Sequence, residues 1–194
     1  MKRTIFISAI LLALLISCGE NFPVIEDLST SKYSLVNQEE KRIYFPEFVK
    51  GKIVVAGYIF TNCPDICPLT TNNMRLIQER LKKEEIRNVQ FVSVSFDPMY
   101  DTPEVLRKFA EIRNLDLSNW TFLTGDKQTI DKLMKHVGVV AVPGDSTVFP
   151  SGKLTYYYIH TDRIQLIDPE GKIRKNYPGS TINIEEIVED IKSL

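Results

Sequence analysis

Ile53 to Phe60 reads Ile-Val-Val-Ala-Gly-Tyr-Ile-Phe, an unbroken apolar run of strand length. A strand with one wet face alternates apolar and polar residues, so a run without alternation is a strand covered on both faces. Val89 to Phe96 reads as another central strand. Between them, Met74, Ile77 and Leu81 recur at helical spacing within residues 65–83, which predicts a helix. Strands of this kind, alternating with helices, commit the chain to one sheet with helices on both faces.

The rest of the chain extends that pattern. Tyr33 to Val36 and Ile43 to Phe45 flank the polar residues 37–40 and suggest an N-terminal strand pair. Asp101-Thr102-Pro103-Glu104 carries start signals for a helix to about residue 113, with Asp101 as the expected N-cap and Val105, Leu106 and Phe109 facing inward. Trp120 to Leu123 is a short strand, and Asp126 starts a helix that ends near Gly138. Residues 139–158 read as a Gly-, Pro- and Ser-rich excursion. Ile164 to Asp168 and Lys172 to Tyr177 flank Pro169-Glu170-Gly171 as a hairpin, and residues 184–191 close the chain as a helix. The expected class is α/β: a central mixed sheet flanked by helices, in the element order of a thioredoxin-like fold.

At the N-terminus, Lys2 and Arg3 precede the apolar run Ile5 to Ile16, too short to span a bilayer and suited to the core of an export signal. Leu15-Ile16-Ser17-Cys18-Gly19 then resembles the bacterial lipobox, in which cleavage before the cysteine leaves a thioether-linked lipid on it. An ordinary secretory signal with an incidental cysteine is the alternative. The expected organisation is a signal peptide over residues 1–17, a lipid-anchored tether over 18–32 that lacks helical or strand period, and one domain over 33–194. That places the domain outside the cytoplasm, in a bacterial cell envelope. A net charge of -1 over 194 residues excludes the broad basic footprint of a nucleic-acid binder.

With Cys18 assigned to lipid, Cys63 and Cys67 are the two cysteines left of three. They sit between the first buried strand and the helix after it. A helix beginning just past Cys63 aims unpaired N–H groups and the positive end of its dipole at that sulfur, which favours thiolate and makes Cys63 the better nucleophile. Cys67, four residues on, shares its helical face, although the spacing is wider than the Cys-x-x-Cys of thiol oxidoreductases. Two such sulfurs can form a disulfide, hold a metal, or alternate between the two.

As ligands, thiolates suit Cu(I), and an imidazole would complete a site for both Cu(I) and Cu(II). Two histidines exist. His136 reads as a helix C-terminal surface residue, whereas His160 stands just before the hairpin strand expected beside the first central strand, within reach of Cys63. Zinc would need a fourth ligand, with Asp65 or Asp97 as candidates. Asp97, at the end of the second central strand, is a candidate to tune the cysteine pair. A thiol peroxidase of this fold would carry Thr three residues before its reactive cysteine; that position is Phe60, and Thr61 is one residue too close.

Thr61-Asn62-Cys63-Pro64-Asp65-Ile66-Cys67-Pro68, then Asp97-Pro98 with Asp101-Thr102, then His160-Thr161, together resemble the Sco/SenC family. The resemblance runs from about Tyr33 to the C-terminus. It implies a thioredoxin-like, membrane-anchored copper protein that helps build the dinuclear copper centre of cytochrome c oxidase, delivering metal to the copper-accepting subunit or to another copper protein. Cys63, Cys67 and His160 would be the ligands, Asp97 the acidic residue near the site, and the cysteine pair a reductant of a partner's disulfide. Such a chain is a carrier before it is an enzyme. Two departures stand out: Ile159 where many members carry an acidic residue, and the run Tyr156-Tyr157-Tyr158.

Overall fold

A computed structural model describes residues 22–148 and 154–194; the expected signal peptide and Cys18 lie outside the described residues. Along the chain run β1 (Glu26–Asp27), β2 (Tyr33–Asn37), β3 (Arg42–Phe45), β4 (Ile53–Ile59), α1 (Ile66–Lys83), β5 (Val89–Ser95), α2 (Pro103–Ile112) and β6 (Trp120–Thr124). They are followed by α3 (Lys127–His136), β7 (Ala141–Val148), β8 (Leu154–His160), β9 (Ile164–Ile167), β10 (Lys172–Tyr177) and α4 (Ile184–Lys192). Eight strands form one mixed sheet in the order β1-β10-β9-β4-β5-β6-β2-β3. β4, β5 and β6 are mutually parallel, and the remaining pairings are antiparallel.

β4 and β5 are the centre of this sheet, and every residue of both is buried. Around them α1 packs on β4 and on α4, α2 on β6, and α3 on β2. Gly57 in mid-β4 is what lets α1 settle so close: a Cβ there would lie 2.5 Å from Met74 Sδ. The architecture is the expected thioredoxin-like one, with the N-terminal strand pair β2–β3, the hairpin β9–β10 and the terminal helix all in place.

The structure corrects two boundaries. Part of the expected tether belongs to the domain: β1 pairs with β10, Leu28 is fully buried, and Arg174 Nε donates to the Phe22 carbonyl at 3.0 Å. A two-residue strand and one buried leucine are too short to show a period. The expected excursion at 139–158 is also largely regular, since β7 and β8 form a separate two-stranded sheet. Pro143, Gly144 and Ser146 disguise β7, and the ladder changes register between Pro143 and Ser146. His160 is therefore the last residue of a strand, not a loop residue before one.

Candidate metal centre

β4 ends at Ile59 and α1 begins at Ile66, so residues 60–65 form a short loop at the end of a doubly covered strand. Cys63 lies in that loop, its N–H donating to the Phe60 carbonyl at 3.3 Å. Cys67 falls in the first turn of α1 and is fully buried, while Cys63 is nearly so. Backbone donors face both sulfurs: the Cys67 N–H reaches Cys63 Sγ and the Phe60 N–H reaches Cys67 Sγ, each at 3.4 Å. This is the helix-start geometry that stabilises a thiolate.

His160 arrives from β8. Its Nε2 is 4.0 Å from Cys67 Sγ, and its Nδ1 is 3.2 Å from the Thr161 carbonyl. A carbonyl only accepts, so Nδ1 donates its proton there and leaves Nε2 facing the sulfurs, a donor to thiolate when the ring is protonated and a ligand nitrogen when it is neutral. One donor atom each from Cys63, Cys67 and His160 lies within 4.8 Å of the others. Among the described residues these three are the group of ligating side chains that converges in this way.

The electrostatics are asymmetric. The Cys67 thiol donates to Cys63, and His160 with the Cys67 and Asp65 amides adds to it, holding the Cys63 sulfur far below an ordinary thiol, at about 3, against the opposing effect of burial. The neighbouring Cys63 thiolate, and then burial, push Cys67 up. His160 is raised, chiefly by its hydrogen bond to Cys63. Without metal the pair is thus one thiolate and one thiol. A soft cation replacing the Cys67 proton would meet two thiolates and one imidazole, a donor set that suits copper in both of its common oxidation states.

The acidic candidates behave differently. Asp65 is exposed and outside the converging group. Asp97 is buried and turned toward β8: Tyr156 Oη donates to its Oδ2, and Tyr158 Oη to its Oδ1 at 3.3 Å. Neither supplies zinc with a fourth ligand. Asp101 is not the N-cap of α2; Thr102 is, accepting from the Val105 N–H at 3.3 Å. The Tyr100 and Asp101 N–H groups both bond the Asp97 carbonyl, at 3.1 and 2.9 Å, and the turn they make carries Asp101 into the interior. There Asp101 accepts from the Thr61 N–H at 3.0 Å, Thr61 Oγ1 at 2.5 Å and Ser95 Oγ at 2.6 Å, fixing the start of the cysteine loop. Burial pushes its carboxyl up.

His136 takes no part in the site; its Nδ1 lies 2.6 Å from Tyr33 Oη, and its Nε2 faces Glu26 at 3.4 Å. The residues missed from sequence are Tyr156 and Tyr158, together with Phe60 and Phe96, whose rings wall His160 at centroid distances of 6.2 and 5.1 Å. The tyrosine run was the available signal, and its direction was not readable.

Residues 26–194 match the SCO1/SenC family. The chain belongs to that family. It is similar to a SCO1/SenC family lipoprotein from Bacillus anthracis, with 34% identity and a TM-score of 0.71, covering 88% of this chain and 98% of that one. It is similar also to BsSco, a member of the Sco family of cytochrome c oxidase assembly proteins in which a disulfide switch was identified. There the identity is 31% and the TM-score 0.71, over 89% of this chain and 95% of that one. A third likeness is to copper-bound ScoI of Bradyrhizobium japonicum, with 25% identity and a TM-score of 0.68 over 84% and 96% of the two chains. Among the described residues no helix is long and apolar enough to cross a membrane.

Proposed function

We propose that this chain is a copper carrier that holds Cu(I) and Cu(II) on Cys63, Cys67 and His160 and assists assembly of the dinuclear copper centre of cytochrome c oxidase. The observation that carries the reading is the convergence of those three donors within 4.8 Å of one another. Copper is cargo here, so the site must both bind and release it. Two buried thiolates supply tight binding, and ligand exchange with an apo partner's thiols supplies release. The copper-bound relative and the oxidase-assembly relative support the metal and the destination. Export, lipid attachment at Cys18 and a bacterial envelope location belong to the same proposal, supported by the lipobox-like residues 15–19 and by the lipoprotein relative.

The test is anaerobic titration of the reduced mature chain with copper. One copper per chain is expected, and Cu(II) should give thiolate-to-copper absorption that His160→Ala removes. An unchanged band in that variant would show that His160 is no ligand.

A second reading rests on the asymmetry of the sulfurs, a depressed Cys63 beside a raised Cys67. The Cys63 thiolate attacks a partner disulfide, forming a mixed disulfide and releasing one partner thiolate. Cys67 then loses its proton, attacks Cys63 Sγ and releases the second, so the partner gains two electrons and this chain ends as the Cys63–Cys67 disulfide. Oxidation of the pair would expel copper, which makes the two activities exclusive within one molecule. Reduction of a partner that survives His160→Ala and is lost in Cys63→Ser would favour this second activity.

A further inference from the structure

From Tyr156 onward, alternate residues of β8 turn inward: Tyr156, Tyr158 and His160 are half-buried, while Tyr157 and Ile159 are exposed. A slip of one residue would put Ile159 at the cysteines and His160 in solvent. The β7–β8 ladder is by itself a weak guard against that, because it already changes register between Pro143 and Ser146 and, among the described residues, pairs with no strand of the main sheet. Two hydrogen bonds between Val140 and Thr161, at 2.8 and 3.0 Å, hold the end of β8 beside His160, and contacts outside the ladder hold the strand farther back.

Asp97 is placed to do so. Its two oxygens accept from Tyr156 and Tyr158, hydroxyls two residues apart on one strand, and only one register of β8 brings both to a single carboxylate. Bonds to a carboxylate are also stronger than neutral ones. Asp97 is itself pinned, its N–H donating to Ser95 Oγ at 3.0 Å. Ser95 Oγ donates onward to Asp101, which receives Thr61. One hydrogen-bonded path therefore runs from Tyr158, two residues before His160, to Thr61, two residues before Cys63.

We infer that Tyr156, Tyr158 and Asp97 are positioning residues that hold His160 against the cysteine pair. The purpose of that hold rests on the copper reading; the geometry does not. Asp97 lies outside the converging group of Cys63, Cys67 and His160 and acts on the site through β8.

Tyrosine-to-phenylalanine changes keep the ring packing on Phe60 and Phe96 and remove the hydroxyls alone. In the reduced, copper-free mature chain, Tyr156→Phe/Tyr158→Phe should speed amide exchange over residues 156–161 by about tenfold or more, and shift the imidazole nitrogen signals of His160 toward those of a free side chain. Exchange in β4 should not change. Tyr158→Phe alone should give a smaller effect of the same sign, and Asp97→Asn, which keeps one acceptor oxygen, should fall between. Unaltered β8 exchange and His160 signals in the double variant would overturn the proposal, as would equal acceleration in β4, which would mean general loosening. Copper added to the parent chain separates the two claims: absence of thiolate-to-copper absorption would defeat the carrier reading and leave the hairpin result to be judged on the metal-free data.

Discussion

β4, which delivers the cysteine loop, is hydrogen-bonded on both edges, by β5 and β9, and is buried over all seven of its residues. β8, which delivers His160, pairs among the described residues only with β7 and leaves Tyr157 and Ile159 in solvent. The two halves of the Cys-Cys-His site thus rest on unlike supports. The sulfurs are held by the same burial that holds the domain together, so the chain cannot fold without presenting them. His160 is held by a few polar and aromatic contacts, so it can be loosened while the body stays intact. On the proposed reading of the chain as a copper carrier, one firm and one yielding side would suit both binding and release.

Removing a sulfur breaks the comparison at its strongest point. Cys63→Ser or Cys67→Ser should abolish stoichiometric copper binding and all thiolate-to-copper absorption, whereas His160→Ala should keep Cu(I) bound and weaken Cu(II) by more than about 100-fold, since even outer-shell partners of metal ligands are worth about 10–100-fold. Competition titration against a chelator of known affinity checks both. Retention of stoichiometric copper in Cys67→Ser would mean the deeper sulfur is only structural.

Two glycines give the sharper contrast. A Cβ at Gly57 would stand 2.5 Å from Met74 Sδ, and one at Gly144 would stand 2.7 Å from Tyr157 Cε2. The steric offence is alike and the surroundings are not. Met74 is fully buried, so Gly57→Val should cost about 1–3 kcal/mol in denaturant unfolding through displacement of α1. Tyr157 is exposed and can swing away, so Gly144→Ala should leave the midpoint almost unmoved. Equal losses at the two sites would show that the hairpin is part of the cooperative core.

The Cys63 sulfur offers a measure by pH. An ordinary thiol near 8.5 loses alkylation rate about tenfold per unit as pH falls below that value. With its pKa lowered to about 3, Cys63 remains thiolate far below neutrality, so its alkylation should stay nearly flat from about pH 8 to about pH 5. A tenfold fall per unit over that window would place Cys63 among ordinary thiols. The smallest effect is expected farthest from the site: Glu26→Ala, which removes a half-exposed partner of His136, should alter stability by less than about 1 kcal/mol in the same unfolding assay.

Legibility in the sequence follows this division. β4 and α1 were readable because burial on both faces leaves an unbroken apolar run and a helical face leaves a repeat, and β5 was readable from its β-branched and aromatic residues. The β7–β8 sheet was not, because Pro143 and Gly144 interrupt the pattern that a strand would show. Asp101 was misread because its local sequence fits an N-cap as well as a buried acceptor; the turn through Met99 and Tyr100 decides between them. The contact of Tyr158 with Asp97 joins residues 61 positions apart, beyond any local rule.

By itself the sequence determined the layered α/β class, the cysteine pair at a strand-to-helix junction, and the family likeness. Each is a matter of residues close together in the chain, where periodicity, dipole and spacing act directly. The tertiary structure alone decided that His160 turns Nε2 to the sulfurs, that Asp97 faces the tyrosines, and that Leu28 belongs to the core. Those outcomes depend on how a separate two-stranded sheet and an N-terminal strand seat on the main one. Packing and hydrogen-bond geometry between distant segments choose that seating, and no local propensity encodes it.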